Sequence, residues 1–530
     1  MFSRRQFLQR SFGTMGAIVS LNALSKGDSL ALDRPNIIVI MADDLGFSDI
    51  GPYGSEIETP HLDRLAREGM KFTQFYNCAR CSPSRASLLT GLYPHRAGMG
   101  TLTNLSGKPD SPAYQGYLND RCLTVAEALQ RAGYQTLMSG KWHVGEERPH
   151  WPLDRGFEQY YGLIGGASHY FNPNLLQAGR TRGRVVARNH TQLLEFPDSF
   201  YLTDAISENA VAMLQEYGQK SDPFFLYVAY TAPHWPLHAL PAETKKYIGK
   251  YLQGWDAVRT RRYRQAIARG AIDARWSLSA RDERVPPWET VENKAWEDMR
   301  MAVYAAQIEA MDRGIGQMLE ALRQLGRDRE TLVLFLSDNG ASAEILPDNQ
   351  LDLMPGSGQT YMSYGIGWGN VSNTPFRRYK ISVYEGGTAT PLIAWWPGTI
   401  APGSRNDRVG HVIDIMPTCL ELAGVEYPEN WDDRPLLPLD GKSLVPSFLG
   451  QRNEDHETLY WEHHNNRAIR QGQWKAVYEK ETETWELYDL ERDRTEMNNL
   501  AADYPERVAA MSEQWQVWAQ EVGVDLSFEG

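Results

Sequence analysis

Residues 35–46 read Pro35-Asn36-Ile37-Ile38-Val39-Ile40-Met41-Ala42-Asp43-Asp44-Leu45-Gly46. The run Ile37 to Met41 is continuously apolar and mostly β-branched. Such a run suits a strand buried on both faces, as in a parallel sheet. It stops at two adjacent aspartates. Thr331 to Leu336 reads as a second fully buried strand, and it ends in Ser337-Asp338-Asn339-Gly340. Between the two, helical patterns cover 61–69, 123–132, 203–217 and 296–325. Shorter strand patterns cover 135–138 and 224–230. Strands alternating with helices predict an α/β fold with a mostly parallel sheet.

The rest of the chain is consistent with that reading. It has 530 residues, 42% apolar and 23% charged, which excludes a disordered or fibrous protein. The length calls for more than one packed unit. From about residue 425 the texture changes to Pro, Asp and Trp. Short segments at 459–463, 467–470, 474–477 and 485–488 predict a small antiparallel sheet, and 504–522 a closing helix. The predicted division is 1–31 as a leader, 32–425 as a catalytic unit and 426–530 as a C-terminal α+β subdomain. Lys245 to Arg269, rich in Lys and Arg with interleaved aromatics, reads as a solvated helical insertion or as a rim that attracts an anionic substrate.

The net charge of −13 argues against nucleic-acid partners, which need a basic footprint. Four cysteines are too few for a disulfide scaffold. Ser3-Arg4-Arg5-Gln6-Phe7-Leu8 is a twin-arginine pattern. A weakly apolar run to Leu24 and a small-x-small site at Ser29-Leu30-Ala31 follow it. The expectation is an exported bacterial protein, periplasmic or secreted, carried by the twin-arginine translocase and not inserted in a membrane.

The strand ends carry the first chemical signal. Ligand sites in open α/β sheets form outside the carboxyl ends of the strands. Asp43, Asp44, Asp338 and Asn339 would bring three carboxylates and an amide to one edge. Like charges that close repel unless a cation lies between them. All four are hard oxygen donors, which favours Ca²⁺ or Mg²⁺ over Zn²⁺. The same acidic pairs could instead cap the helices that follow them.

The second signal is Cys78-Ala79-Arg80-Cys81-Ser82-Pro83-Ser84-Arg85, followed by Ala86-Ser87-Leu88-Leu89-Thr90-Gly91. The C-x-x-C pair could be redox-active or half a zinc site, but no second pair exists. Cys81-x-Pro-x-Arg85 with the later Thr-Gly resembles the signature of the type I sulfatases, the formylglycine-dependent branch of the alkaline phosphatase superfamily. Other segments resemble that family in the same order. They are Asp43-Asp44, Gly133-Tyr134 to Gly140-Lys141-Trp142-His143, Ala232-Pro233-His234-Trp235-Pro236-Leu237 and Asp338-Asn339-Gly340. After them come Asn373-Thr374-Pro375 to Lys380, Tyr384-Glu385-Gly386-Gly387, and Leu487-Tyr488-Asp489-Leu490 through Asn499-Leu500.

That resemblance implies an alkaline phosphatase-like fold, with a large mixed, mostly parallel sheet flanked by helices and a smaller C-terminal antiparallel sheet plus helix. It implies hydrolysis of aryl or carbohydrate sulfate esters. The nucleophile would be 3-oxoalanine (formylglycine) made from Cys81 by a maturation enzyme. Its hydrate would attack sulfur, and collapse to the aldehyde would expel sulfate. The metal, Ca²⁺ or else Mg²⁺, would be held by Asp43, Asp44, Asp338 and Asn339 together with residue 81. Arg85 and Lys141 would hold the hydrate, and His143 would be the base for sulfate expulsion. His234 and Lys380 would protonate the leaving alcohol, and Lys141, His234, Lys380 and His238 would meet the substrate. Trp461, His463, His464, Asn465 and the stretch Tyr361 to Trp368 are further candidates for the pocket wall. Cys78 has no assigned role. The alternative within the superfamily is a phosphonate monoester or phosphodiester hydrolase with the same site. A glycan-binding protein on the same fold would show a damaged site, and no catalytic position is missing.

Overall fold

Strand β1 (Asn36–Asp43) is buried along its whole length and lies inside a ten-stranded sheet. Its companions are β2 (Met70–Tyr76), β3 (Gln135–Gly140), β4 (Gln159–Leu163), β5 (Val186–Arg188), β6 (Thr191–Gln192), β7 (Phe224–Pro233), β8 (Thr331–Ser337), β9 (Ala389–Trp395) and β10 (Ser404–His411). The computed structural model describes residues 34–103, 111–175, 183–452 and 455–527. The leader expected at 1–31 lies outside them.

The spatial order is β10-β2-β9-β8-β1-β7-β3-β4-β5-β6. Strands β8, β1, β7, β3 and β4 run parallel. Strand β9 is antiparallel to both β8 and β2, and β5 is antiparallel to β4, so the sheet is mixed. The four carboxyl ends of β8, β1, β7 and β3 are neighbours on one edge, which is where such sheets place their chemistry.

The helices in chain order are α1 (Pro60–Glu68), α2 (Cys81–Thr90), α3 (Val125–Arg131), α4 (Leu202–Tyr217), α5 (Pro241–Thr244), α6 (Trp255–Ala268), α7 (Lys294–Gln324), α8 (Gly365–Ser372), α9 (Glu385–Thr388), α10 (Ile415–Ala423), α11 (Val445–Phe448) and α12 (Pro505–Val522). Helix α3 starts at a reciprocal cap. Thr124 Oγ1 accepts the Glu127 N–H at 3.0 Å, and Glu127 Oε2 accepts the Thr124 N–H at 2.7 Å. The basic stretch 245–269 is helical only from Trp255. Gly254 precedes it at φ 85°, and a Cβ there would lie 2.2 Å from the Trp288 ring, so neither conformation nor space admits a side chain. The stretch is also not simply solvated: Arg262 is fully buried against Asp49 and Glu56.

A two-stranded ribbon, β11 (Asn430–Trp431) and β12 (Arg434–Pro435), precedes the second sheet. That sheet is β13 (Thr458–His463), β14 (Asn466–Gln471), β15 (Trp474–Glu479) and β16 (Thr484–Asp489), all antiparallel in sequence order. Helix α12 closes over it through Trp515, whose indole donates to the Trp461 carbonyl at 3.0 Å. Between β13 and β14 only His464 and Asn465 turn, both at positive φ (50° and 67°), as a tight two-residue hairpin requires.

The two sheets are joined by buried charge. Glu385 accepts from Lys475 at 2.9 Å, from Arg494 at 2.8 Å and from the Tyr76 hydroxyl at 2.8 Å. Arg470 reaches the same hydroxyl at 2.5 Å. The β13 residue Trp461 donates its indole N–H to the Asn77 carbonyl at 2.7 Å. The C-terminal sheet thereby braces the loop that leads into α2.

Candidate active site

Most of the candidate side chains sit at or just beyond the end of an element. Asp43 and Asp44 close β1, Asp338 and Asn339 follow β8, Lys141 and His143 follow β3, and His234 follows β7. Cys81 is the first residue of α2, and Arg85 lies one turn further along the same helix. Asp44 at φ 64° and His143 at φ 56° are in the left-handed region, which is costly for non-glycine residues and tends to cluster at functional sites. Lys380 arrives from the loop before α9. Its position is fixed by main-chain bonds from Lys380 N to Ala341 O (3.1 Å) and from Ile381 N to Ala79 O (2.8 Å).

Three carboxylates are each matched to a cation. Lys141 Nζ donates to Asp43 Oδ2 at 2.7 Å. Arg85 Nε and Nη2 both donate to Asp338 Oδ2, at 3.1 and 2.7 Å. Lys380 Nζ donates to Asp44 Oδ2 at 2.9 Å. All these groups are buried. Burial alone would lower the Lys380 ammonium, but Asp44 and Glu344 reverse this and hold it above its ordinary value. Burial, with the Asp43 charge behind it, pushes Asp338 up to about 6 against the pull of Arg85.

Some oxygens remain unmatched. Asn339 Nδ2 donates to Asp44 Oδ1 at 2.7 Å, which leaves Asn339 Oδ1 buried and without a partner. Asp43 Oδ1 is equally without a hydrogen bond. Asp43, Asp44 and His234 each offer a donor atom within 4.8 Å of the others. Buried, orphaned carboxylate and amide oxygens beside further carboxylates are what a hard divalent cation would satisfy. The residues present therefore fit such an ion.

The histidines differ in state. His234 Nδ1 lies 2.6 Å from the Trp235 carbonyl, so it carries the proton and Nε2 presents a lone pair. That Nε2 accepts from Lys380 Nζ at 3.3 Å. Burial, followed by Lys380 and Lys141, holds His234 down to about 3 despite Asp44. His143 is driven well below its usual value by burial, then by Lys141 and Arg85, and its Nδ1 has no partner. Both shifts favour the neutral imidazole. Burial raises the Cys81 thiol although Lys141 and Lys380 oppose it.

His238 is not brought into this group. Its ring accepts the Tyr170 N–H at 3.4 Å and meets the Thr360 carbonyl at 2.7 Å, and it packs 4.3 Å from the His169 ring. It is a satisfied core histidine, which corrects the substrate-contact expectation. Trp368 is likewise core, packed on Trp255 and Trp288 with its indole bonded to Glu297. Two residues that motif reading passed over do belong here. Glu344 accepts from Trp235 Nε1 (2.8 Å) and Ser342 Oγ (2.9 Å) and lies 3.4 Å from Lys380 Nζ. Burial would raise its carboxyl, yet Lys380 and Arg80 hold it well below the usual range. Arg80 itself immediately precedes Cys81. Glu344 lies in no recognisable pattern, and Arg80, although inside the quoted cysteine segment, occupies a variable position of it, so nothing in the sequence marked either as a site residue.

A profile described as Sulfatase matches residues 35–425. The chain belongs to the sulfatase family. A second profile, the N-sulphoglucosamine sulphohydrolase C-terminal one, matches residues 377–519 and overlaps the first. This sulfatase is 36% identical to an arylsulfatase of Klebsiella aerogenes over 81% of this chain and 95% of that one. It is 30% identical to the N-acetylgalactosamine-6-sulfatase of Mus musculus, over 89% of this chain and 77% of that one. The crystal structure of Ps i-CgsB in complex with k-i-k-neocarrahexaose superposes with a TM-score of 0.69 at 28% identity, covering 94% of this chain and 95% of that one. The sulfatase is a sulfuric ester hydrolase. Sulfate ester hydrolysis stands over the phosphonate and phosphodiester alternative, since the named relatives are sulfatases.

Proposed function

We propose that this sulfatase hydrolyses carbohydrate or aryl sulfate monoesters with residue 81 matured to formylglycine and a calcium ion bound at the strand ends. The observation that carries this reading is the pairing of Cys81 at the start of α2 with Arg85 and Lys141. These two cations interact electrostatically with it and are themselves fixed on Asp338 and Asp43. The cation would be held by Asp43, Asp44, Asp338 and Asn339 with residue 81, and it would supply Lewis-acid stabilisation of the sulfuryl oxygens. Hydrated formylglycine would supply a nucleophile whose second hydroxyl lets the sulfated state collapse without hydrolysis of an ester.

The chain's own residues account for the remaining chemistry. Arg85 donates to Asp338 and, through Nη1, to the Lys141 carbonyl at 3.1 Å, so it fixes the carboxylate and the lysine loop together. Lys141 and Lys380 place positive charge beside the position of an anionic ester, in a buried setting where such charge acts strongly. His234, with its Nδ1 proton committed to Trp235, accepts a proton at Nε2. The adjacent Lys380 ammonium supplies one, and the pair delivers it to the leaving oxygen. His143 is a neutral base placed to take a proton when sulfate departs.

The relatives named for sugar sulfates and the hexasaccharide-bound neighbour support a carbohydrate ester, and the arylsulfatase relative supports an aryl one. The twin-arginine pattern supports maturation in the cytoplasm followed by export of the folded protein to the periplasm or beyond. The deciding experiment measures sulfate release from p-nitrophenyl sulfate by protein shown by mass spectrometry to carry formylglycine at residue 81. Turnover establishes the formylglycine chemistry and a pocket open to aryl esters. Its absence in matured protein rejects the aryl substrate and leaves the carbohydrate esters.

A further inference from the structure

The loop entering α2 carries a further buried cation. Arg80 is the residue directly before Cys81, and its side chain is only 9% exposed. Its backbone is locked, because its carbonyl accepts the Ser84 N–H at 2.9 Å at the start of α2. Its Nε and Nη1 are buried and have no hydrogen-bond partner. Lys141, Arg85 and Lys380 each meet a carboxylate, on Asp43, Asp338 and Asp44 respectively, within 3 Å. Arg80 is the one cation of this group without an ion pair among the described residues. The carboxylate in its field is Glu344, whose hydrogen bonds go to Trp235, Ser342 and Lys380 instead.

The surroundings place that guanidinium at the wall of the site. On one side its charge acts on Glu344 and Lys380. On the other it acts on His463 and His464, at the tip of the β13–β14 hairpin. The Ile381 N to Ala79 O bond at 2.8 Å keeps the Lys380 loop beside the Arg80 loop. A guanidinium buried without an acceptor is expensive to keep, and a planar fork matches carboxylate and sulfate oxygens well.

We propose that Arg80 is a specificity-determining residue that binds a second anionic group, a sulfate or a carboxylate, carried by the substrate close to the ester being cleaved. The preferred substrate class is thus a polyanionic ester rather than an isolated monosulfate. This rests on the sulfate-ester reading of the same site and narrows it.

The test is calorimetric binding to the full chain, loaded with calcium and purified with Cys81 unconverted so that no turnover intervenes. The probes are phenyl sulfate and 2-carboxyphenyl sulfate, which differ by one ortho carboxylate. The expected result is at least tenfold tighter binding of the carboxylated ester. Arg80→Gln should erase that preference, and Arg80→Lys should retain most of it. Equal affinities in the wild type, or a preference that survives Arg80→Gln, overturn the proposal and leave the sulfatase reading intact. Binding of neither ester also overturns it. Sulfate release by the matured protein reports on the underlying reading separately.

Discussion

Lys380 Nζ lies 3.3 Å from His234 Nε2, and the opposite nitrogen of that ring is pinned at 2.6 Å to the Trp235 carbonyl. The two side chains come from loops 146 residues apart. In the proposed mechanism they act as a proton-donating pair, the lysine holding the proton and the imidazole relaying it.

This relay predicts a leaving-group dependence. His234→Ala should lower kcat on a sugar sulfate by ~10²-fold or more, the usual range for loss of a general acid. On p-nitrophenyl sulfate, whose phenolate leaves without a proton, the loss should be much smaller. Parallel kinetics on the two esters check it, and equal losses would remove His234 from leaving-group protonation.

Glu344 predicts a pH effect. Its carboxylate helps hold the Lys380 ammonium above its ordinary value, so Glu344→Gln lowers the lysine pKa. In the proposed mechanism activity needs the protonated lysine and fails as pH rises through that pKa. The alkaline limb of the kcat profile should therefore move to lower pH in the variant, and an unmoved limb would show that Glu344 does not act through Lys380.

Cys81→Ala should reduce turnover by ~10³-fold or more while thermal unfolding stays within a few degrees of the wild type. Cys81→Ser should be nearly as poor in a host whose maturation enzyme acts only on cysteine. Sulfate release and circular dichroism on the same samples separate lost chemistry from lost fold.

Removing divalent cations should both inactivate and destabilise the protein, because Asp43, Asp44 and Asp338 then face one another with the ion gone. A site saturated at a hundred times its dissociation constant contributes about 2.7 kcal/mol of stability. Dialysis against a chelator should lower Tm, and readdition of Ca²⁺ or Mg²⁺ in separate arms should show which restores Tm and activity.

The buried joint between the sheets predicts acid sensitivity. Burial would raise the Glu385 carboxyl, but Lys475, Arg494 and Arg470 lower it to about 2. A depressed carboxylate contributes stability that is complete above its unfolded pKa, near 4.5, and is lost as pH falls through about 2. Glu385→Gln leaves Lys475 and Arg494 short of a buried counter-charge and should cost about 3–5 kcal/mol. Calorimetry at pH 7 and pH 3 should show a large difference between variant and wild type at the higher pH and a smaller one at the lower.

The sequence by itself determined the parts that depend on local pattern. The runs at 37–41 and 331–336 suited strands covered on both faces, and they became β1 and β8 at the heart of the sheet. The helices over 202–217 and 294–324 followed from their periodicity. The candidate nucleophile, the lysines and the strand-end acids could be proposed from sequence because they stand in motifs whose order matches a family. Tertiary structure decided the rest. Strand β10 opens with the polar run Ser404-Arg405-Asn406-Asp407-Arg408, because an edge strand need bury only part of itself. Helix α2 carries Ser82, Ser84, Arg85 and Ser87 fully buried, so no amphipathic period betrays it. His238 reads like a pocket residue four positions after His234, yet packing against His169 and Tyr170 made it core. Arg80 and Glu344 entered the site only when chain segments hundreds of residues apart met, since a side chain acquires a role from its neighbours in space and a sequence names only its neighbours in line.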